Sequence, residues 1–228
     1  VIGKLQMVTG IAVVRFLRLS RSWKPDIIQT LLPVSDIFGR VLGRMHGRCS
    51  IVTSIRSVNS QKNASQFWLD QITMRWAARV IFNSRRIVEF SCAHEGGAAE
   101  QVVVIPNSVD GTLFRRPPIS RQDLDVPEAV VLLGAVGRLD ARKGYSYLLT
   151  AYGEILAEGS RRIHLLIVGN GPSRADLVVQ AERLGIRDHV SFLGARTDIP
   201  PILKACDLFV HPSLQEGSPN AVLEAMAA

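Results

Sequence analysis

Short apolar stretches alternate with longer amphipathic ones along most of the chain. The short ones are rich in Val, Ile and Leu, as in buried strands, and the longer ones repeat apolar residues at helical spacing. Strands are therefore predicted at 26–30, 50–55, 80–83, 102–105, 130–136, 163–168, 189–193 and 208–210. Helices are predicted at 4–20, 35–48, 64–78, 85–94, 145–157, 173–184, 199–205 and from about residue 219 onward. Such alternation is typical of parallel sheets covered by helices on both faces.

The alternation of strands and helices is interrupted once, between Pro106 and Pro127, by a polar stretch that contains several prolines. We therefore predict an α/β protein with two Rossmann-like domains, 1–110 and 129–228, joined by a linker at 111–128. In such folds ligands bind outside the carboxyl ends of the strands. The active site is accordingly expected in a cleft between the two domains.

Composition narrows the class of protein. The chain is 47% hydrophobic and 21% charged, which is ordinary for a soluble domain. Its longest apolar stretch, 129–136, is far shorter than the ~20 residues that cross a bilayer. Residues 1–20 end in no signal-peptide cleavage site. The three cysteines are odd in number and widely spaced, which favours reduced thiols and a cytoplasmic location.

The formal net charge of +7 is unevenly shared. Residues 1–116 carry 16 Lys and Arg against 7 Asp and Glu, whereas residues 117–228 carry 11 against 13. A basic first half indicates an anionic partner, such as a membrane surface or a lipid-linked phosphate. Its arginines are not clustered with aromatic residues, so no nucleic-acid partner is predicted. Packing on a sheet is expected for the amphipathic helix at 4–20, and peripheral contact with the inner face of a membrane is the alternative.

The first candidate site is the strand, loop and helix at the C-terminal end. Ser218 is predicted as the N-cap and Pro219 as the first helical residue, and Gly217 allows close approach of the backbone to a ligand. A helix N-terminus suits a phosphate. Glu216 and Glu224 bracket this start, and carboxylates accept hydrogen bonds from hydroxyl groups. The pattern indicates a ligand with both phosphate and hydroxyls, or else two carboxylates that only stabilise the helix end.

The second candidate site is the loop GRLDARKG, which follows the strand predicted at 130–136. Arg138 and Lys143 lie between Gly137 and Gly144, a spacing that can straddle a diphosphate without a metal. The alternative is that one of these cations is ordinary surface charge. Polar groups at the next two predicted strand ends are Gly169, Asn170, Gly171, Arg196 and Asp198.

The stretches GRLDARKG, LLIVGNGPSRADL, VSFLGARTDI and CDLFVHPSLQEGSPNAVLEAMAA resemble the donor-binding domain of family 4 (group 1) retaining glycosyltransferases with the GT-B fold. Glu216 and Glu224 match that family's E-x7-E signature. Upstream, KPDIIQT, SIRSVN, ARVIFNSRRIVEF and VVVIPNSVD are similar to its acceptor-binding domain and crossover segment. The resemblance implies a GT-B fold that lacks the family's N-terminal and C-terminal ends.

The resemblance also implies residue roles. Catalytic roles fall on Arg138 and Lys143, which would hold the donor diphosphate in place of a metal, and on Glu216, which would contact the donor sugar. Glu224 would accept hydrogen bonds from the ribose. Backbone groups of Gly217, Ser218, Pro219 and Asn220 would approach sugar and phosphate, and Gly169, Asn170, Gly171 and Arg196 would line the base and ribose pocket.

These implications predict a retaining glycosyltransferase that moves a sugar from a nucleotide-sugar donor to a glycan or lipid-linked acceptor in polysaccharide or glycoconjugate biosynthesis. The donor is a substrate, and no cofactor or metal is predicted. The family commonly has histidines where Gln29, Leu31 and Val34 stand here, which leaves Arg56 and Asn59 as acceptor-side candidates. Two alternatives remain open: a truncated nucleotide-sugar-binding remnant without activity, and a GT-B sugar-nucleotide epimerase.

Overall fold

The structure, a computed structural model, describes residues 10–57, 62–159 and 162–228. The chain divides into two compact units, one ending at Asn107 and the other beginning at Ser108. Each unit contains one four-stranded sheet in which every strand pair is parallel. The predicted α/β class is therefore confirmed.

In the first unit the strands lie side by side in chain order, β1-β2-β3-β4. Its helices and strands are α1 (Gly10–Trp23), β1 (Ile27–Leu31), α2 (Pro33–His46), β2 (Ser50–Ile55), α3 (Ala64–Met74), β3 (Arg79–Phe82), α4 (Arg85–His94) and β4 (Val102–Val104). Its core lies where α3 and α4 cover β3, around the fully buried side chains of Met74, Val80, Phe82 and Ile87.

Two helices of this unit differ from their predicted form. Ile11 and Leu19, apolar residues at helical spacing in the first predicted helix, are exposed, and α1 packs on α2 through residues such as Phe16. Its predicted portion before residue 10 lies outside the described residues. The helix expected to reach residue 78 ends at Met74, because the backbone N–H of Ala78 already donates to the sheet.

A buried ionic network joins α2, α3 and α4. Arg40 pairs with Asp70, and Lys62 pairs with both Asp70 and Glu95. The Ser91 hydroxyl donates to the other oxygen of Glu95 over 2.6 Å. Because every charge in the network has an opposite partner, the residues that lead into α3 are held against α4.

Asp36 lies beside this network with an incomplete set of partners. The residue is 5% exposed, and within the described ranges its Oδ1 has no hydrogen-bond partner. Burial raises the pKa of Asp36 to about 7; Asp70 adds to this rise, while a hydrogen bond with Thr30 and the charges of Arg40 and Lys62 oppose it. The folded chain therefore holds a proton on Asp36 at pH values where the unfolded chain has lost it.

Asp36→Asn should stabilise the first unit at neutral pH. Between the ordinary carboxyl pKa of 3.8 and the raised value of about 7, each pH unit costs the wild type about 1.4 kcal/mol through this group. The stability difference between variant and wild type should grow from near zero at pH ~4 to roughly 4 kcal/mol above pH ~7. All three tryptophans lie in this unit, so their fluorescence in urea reports its unfolding. The exposed control Asp26→Asn should show no such growth, and a constant difference for Asp36→Asn would contradict the prediction.

The second unit has the strand order β7-β6-β5-β8. Its helices and strands are β5 (Val131–Val136), α5 (Tyr145–Ala157), β6 (Ile163–Val168), α6 (Arg174–Arg183), β7 (Val190–Gly194), α7 (Ile199–Ala205), β8 (Leu208–Phe209) and α8 (Asn220–Ala227). From β5 the chain steps outward to β6 and β7, then returns to the other side of β5. The carboxyl ends of β5 and β8 therefore form a topological switch point, the place where open α/β sheets bind ligands.

The stretch predicted as a linker, 111–128, packs on this second sheet. Leu124 and Val126 are buried in the core cluster that lies between the sheet and α7. Lys204 of α7 donates to the backbone carbonyls of Phe114 and Arg116, over 3.1 and 3.0 Å. The apolar residues of this stretch thus anchor it to the second unit.

Candidate active site

Two loops meet at the switch point of the second sheet, one from β5 to α5 and one from β8 to α8. Gly144 ends the first loop with a φ of +69°, and a Cβ there would overlap the backbone carbonyl of Pro212 in the second. The backbone N–H of Leu214 donates to the carbonyl of Arg142 over 2.9 Å. Gly144 therefore permits the close backbone contact that brings the side chains of the two loops together.

Lys143 and Glu216 form an ion pair across this contact. His211 Nε2 lies 3.5 Å from the same carboxylate oxygen of Glu216. Burial acts to raise the pKa of Glu216, but hydrogen bonds from Lys143 and Ser213 and the nearby positive charge outweigh it, so this pKa lies below its ordinary value. Burial also lowers the pKa of His211, and the charge of Lys143 adds to that effect. At neutral pH the cluster is therefore a lysine cation, a carboxylate and a neutral imidazole.

Tyr145, the first residue of α5, is buried near Asp140 and Glu216. Its hydroxyl would lie only 2.9 Å from a Cβ on Gly137, so that glycine makes room for the phenol. Burial, together with the negative charges of Asp140 and Glu216, raises the pKa of Tyr145. The hydroxyl therefore stays protonated and can donate a hydrogen bond.

Arg138, the other predicted cation, extends towards solvent. Its side chain is 70% exposed, and its Nε lies 3.6 Å from Asp140 Oδ2. Asp140 also caps the following turn by accepting from the backbone N–H of Arg142 over 3.1 Å. The structure thus places Lys143 against the second loop and leaves Arg138 exposed to solvent, while diphosphate binding stays a prediction.

The glycines after β6 have a structural role. Gly169 has a φ of +141°, and a Cβ there would overlap the carbonyl oxygen of Gly137. Leu139 donates its N–H to the carbonyl of Asn170 over 3.0 Å, and a Cβ on Gly171 would overlap the backbone of Leu139. These glycines let the loop after β5 lie directly on the turn after β6. Whether they also line a nucleotide pocket stays a prediction.

At the end of β7, Arg196 pairs with a neighbour in the sequence. Its Nε and Nη2 donate to the two oxygens of Asp198, over 2.8 and 2.5 Å. This hydrogen bonding raises the pKa of Arg196 and lowers the pKa of Asp198. The predicted cation is therefore neutralised by the adjacent carboxylate in this structure.

The C-terminal helix begins one residue later than predicted. Pro219, with extended backbone angles of −74° and 118°, is the N-cap of α8, and Asn220 is the first helical residue. The assignment of Ser218 as N-cap and Pro219 as first helical residue was wrong, because the extended ψ of Pro219 keeps it outside the helix. Glu216 precedes the helix and Glu224 lies in its second turn, where the sequence placed them, and both are half-buried.

Arg56 belongs to the first unit, where it directly follows β2. Its Nη2 donates to Asn107 Oδ1 over 3.1 Å. It borders a small cavity of about 70 Å³, together with Asp36, Ser57 and Lys62. The acceptor role of Arg56 stays a prediction, and Asn59, the other acceptor-side candidate, lies outside the described residues.

Sequence reasoning missed three side chains around Glu216, namely His211, Ser213 and Tyr145. A signal was present for each of them. His211 and Ser213 follow the last predicted strand directly, and Tyr145 follows the predicted cation loop. Polar residues that follow the carboxyl ends of parallel strands are candidate site residues, just as the charged residues of the motifs are.

Within residues 10–57, 62–159 and 162–228, no three His, Cys, Asp or Glu side chains are grouped to hold a metal ion. The same described part of the chain contains no helix with the length and apolar character needed to span a membrane.

Two Rossmann-like units, one with a cation–carboxylate pair at its switch point, are the architecture of GT-B glycosyltransferases. A family model described as "Glycosyl transferases group 1" matches residues 131–228, and one described as "Glycosyltransferase Family 4" matches residues 4–112. Between them the two models account for most of the chain. The chain therefore combines a family 4 glycosyltransferase domain at 4–112 with a group 1 glycosyltransferase domain at 131–228.

Individual relatives agree with this assignment. The 2-deoxystreptamine glucosyltransferase of Streptomyces kanamyceticus is 29% identical over 247 residues, covering 100% of this chain and 64% of the relative. The UDP-Gal:alpha-D-GlcNAc-diphosphoundecaprenol alpha-1,3-galactosyltransferase of Escherichia coli is 30% identical over 223 residues, covering 92% and 57%. The chain therefore spans less than two thirds of the length of these relatives.

Solved structures confirm the GT-B fold. Alr3699/HepE of Anabaena in complex with UDP superposes with a TM-score of 0.80 at 26% identity, covering 98% of this chain and 62% of that protein. A sucrose-phosphate synthase of Thermosynechococcus elongatus superposes with a TM-score of 0.80 at 23% identity, covering 95% and 57%, and supports the fold alone.

Proposed function

We propose that this chain carries the acceptor and donor domains of a retaining, metal-independent glycosyltransferase. Its donor is a nucleotide sugar, and its acceptor is a glycan or lipid-linked glycan in polysaccharide or glycoconjugate biosynthesis. The observation that carries the proposal is the pairing of Lys143 with Glu216 at the switch point. It provides a cation for a diphosphate beside a carboxylate for sugar hydroxyls. Further support comes from HepE, which binds UDP, and from the E. coli relative, whose name specifies UDP-galactose and a lipid diphosphate.

In this mechanism the protein stabilises the leaving group and supplies no nucleophile. The acceptor hydroxyl attacks the anomeric carbon on the face from which the nucleoside diphosphate leaves, so configuration is retained. The bond between the anomeric carbon and the phosphate oxygen breaks, and the departing phosphate takes the hydroxyl proton. Lys143, Arg138 and the N-terminus of α8 neutralise the charge that develops on the diphosphate.

The carboxylates of the E-x7-E motif orient the donor. Glu216 accepts hydrogen bonds from sugar hydroxyls, and Glu224 accepts them from the ribose. Tyr145 keeps a protonated hydroxyl near Glu216 and lies beside Gly137, at the start of the loop that carries Lys143. These groups are therefore positioned once the donor is bound, which lowers the cost of reorganising the site when charge develops.

We include a peripheral contact between α1 and the cytoplasmic face of a membrane in the proposal. Ile11 and Val14 are 62% and 55% exposed, and Arg15 and Arg18 flank them along one groove. A helix with exposed apolar side chains beside arginines binds an anionic lipid surface through both groups. Such a contact would bring a lipid-linked acceptor to the first unit.

Glu224→Ala is expected to weaken nucleotide-sugar binding by about ten- to a hundredfold, because hydrogen bonds to a charged acceptor contribute about 1.5–3 kcal/mol. Thermal unfolding with UDP-glucose, GDP-mannose and ADP-glucose would measure this, since a ligand at a hundredfold excess over Kd stabilises the native state by about 2.7 kcal/mol. Glu182→Ala, an exposed glutamate of α6, is the matched control. A ligand shift in Glu224→Ala equal to that of the wild type would refute the ribose assignment.

Assays with the same donors distinguish the proposed transferase activity from the two alternatives, an inactive remnant and an epimerase. Incubation of the preferred donor with lipid-linked glycans should produce a glycosylated acceptor with the donor's anomeric configuration. Donor binding without transfer or donor hydrolysis would favour the inactive remnant. Isomerisation of the donor sugar without any acceptor would favour the epimerase.

A further inference from the structure

Glu216 has two basic neighbours but ion-pairs with one of them. Lys143 holds its Oε1, whereas His211 Nε2 stands 3.5 Å from that oxygen, beyond ordinary hydrogen-bond length. Within the described part of the chain this ring nitrogen is buried and has no hydrogen-bond partner. The imidazole is aligned near-parallel with the ring of Phe209, with centroids 6.2 Å apart and an interplanar angle of 19°. His211 is thus held facing a carboxylate that another cation already neutralises.

The charge on His211 depends on where Lys143 points. The pKa of His211 is lowered by burial first, then by Lys143, while Glu216 acts to raise it. Other groups near the pair are Tyr145, which stays neutral, and Asp140, which caps its own turn and contacts two arginines. Lys143 and Glu216 are therefore the two charges that decide whether the imidazole binds a second proton.

Donor binding would change the effects of both Lys143 and Glu216 on the charge of His211. This step rests on the proposed function, in which Lys143 contacts the diphosphate. When Lys143 turns towards the negative phosphates, Glu216 loses its cation in a half-buried site, and leaving a carboxylate there without a partner is costly. At the same time the lysine charge that disfavours an imidazolium moves away and two phosphate charges arrive.

We infer that His211 is a positioning residue that takes up a proton when a nucleotide sugar binds, and that its imidazolium replaces Lys143 as the partner of Glu216. The lysine is then free to neutralise the diphosphate. Glu216 keeps a charged partner on one side and directs its remaining lone pairs towards the sugar hydroxyls. The Lys143–Glu216 pair of the unliganded chain is thus the resting form of the site.

Isothermal titration calorimetry tests this exchange directly. UDP-glucose, GDP-mannose and ADP-glucose are suitable probes, because a diphosphate diester has no phosphate proton that titrates near neutral pH. Titrations at pH ~6.5 in buffers with different ionisation enthalpies should show uptake of about half a proton per donor bound. Affinity should be up to about tenfold higher at pH ~6 than at pH ~8. His211→Gln and Glu216→Gln should abolish the uptake, and the exposed control His94→Gln should retain it.

The imidazole resonances of His211 in the wild type provide a second readout that needs no variant to fold. Their titration midpoint should move to higher pH when the donor is added. Donor binding without proton uptake, an unmoved midpoint, or uptake that persists in His211→Gln would overturn the inference and leave the donor site intact. Failure of all three nucleotide sugars to bind would overturn the donor site, and the inference with it.

Discussion

Simultaneous replacement of Arg138 and Lys143 with alanine is expected to abolish measurable nucleotide-sugar binding and to lower kcat/KM by about a thousandfold or more. The double substitution removes both cations from the loop at the switch point. In the proposed mechanism no metal compensates for the charge of the departing diphosphate. Lys143→Ala alone should have the larger single effect, because it also removes the partner of the half-buried Glu216. Arg138→Ala alone removes a side chain that is already 70% exposed and should cost less.

Arg142→Ala is the matched control for this double variant. Arg142 lies in the same loop, is similarly exposed, and lies 3.8 Å from the carboxylate of Asp140, which Arg138 also contacts. Its loss changes the local charge by one unit without touching Glu216, so donor affinity should change by only a few-fold. Loss of Lys143 leaves the half-buried Glu216 without its cation, so the double variant should unfold at a lower temperature than the wild type, and binding is measured well below that temperature. Retained binding of UDP-glucose, GDP-mannose or ADP-glucose in the folded double variant would refute the cation assignment.

Local patterns were sufficient to predict the elements that carry the site. The strand predicted at 163–168 is β6, and the helix predicted at 145–157 is α5, with the same limits. Strand periodicity and β-branched residues are properties of neighbours along the chain, so a single sequence records them well. The two loops at the switch point follow from those strands, because parallel strands bring their carboxyl ends to one edge.

Contacts between distant segments were not predictable in the same way. The ion pair of Lys143 with Glu216 joins residues 73 positions apart, and its formation depends on the strand order of the sheet. The burial of Leu124 and Val126 depends on α7, and the exposure of Ile11 depends on α1 packing against α2. Charge states were not predictable from the sequence either, because burial is the largest influence on the pKa values of Asp36 and His211. The sequence therefore predicted where candidate site residues lie along the chain but not how they are paired.

Gly169→Ala is expected to destabilise the second unit by about 3 kcal/mol or more and to weaken donor binding in whatever fraction stays folded. The φ of +141° is costly for any residue with a Cβ, and the added carbon would overlap the carbonyl oxygen of Gly137, which is backbone and cannot rotate away. Relief requires the loop after β5 to move off the turn after β6. That loop carries both predicted diphosphate cations, so folding and ligand affinity should fall together.

Gly153→Ala separates this effect from the general cost of replacing a glycine. Gly153 lies inside α5, and a Cβ there would meet its nearest neighbours at 3.8 Å, an ordinary contact distance. Alanine is favoured over glycine in a helix interior by about 1 kcal/mol, so this control should raise stability and leave donor affinity unchanged. Hydrogen–deuterium exchange of β5 and β6 peptides, with calorimetry for the donor, would measure both quantities. Equal stability changes in the two variants would show that the loop tolerates a Cβ at Gly169. Unchanged donor affinity in folded Gly169→Ala would show that the cations do not need the loop in its present place.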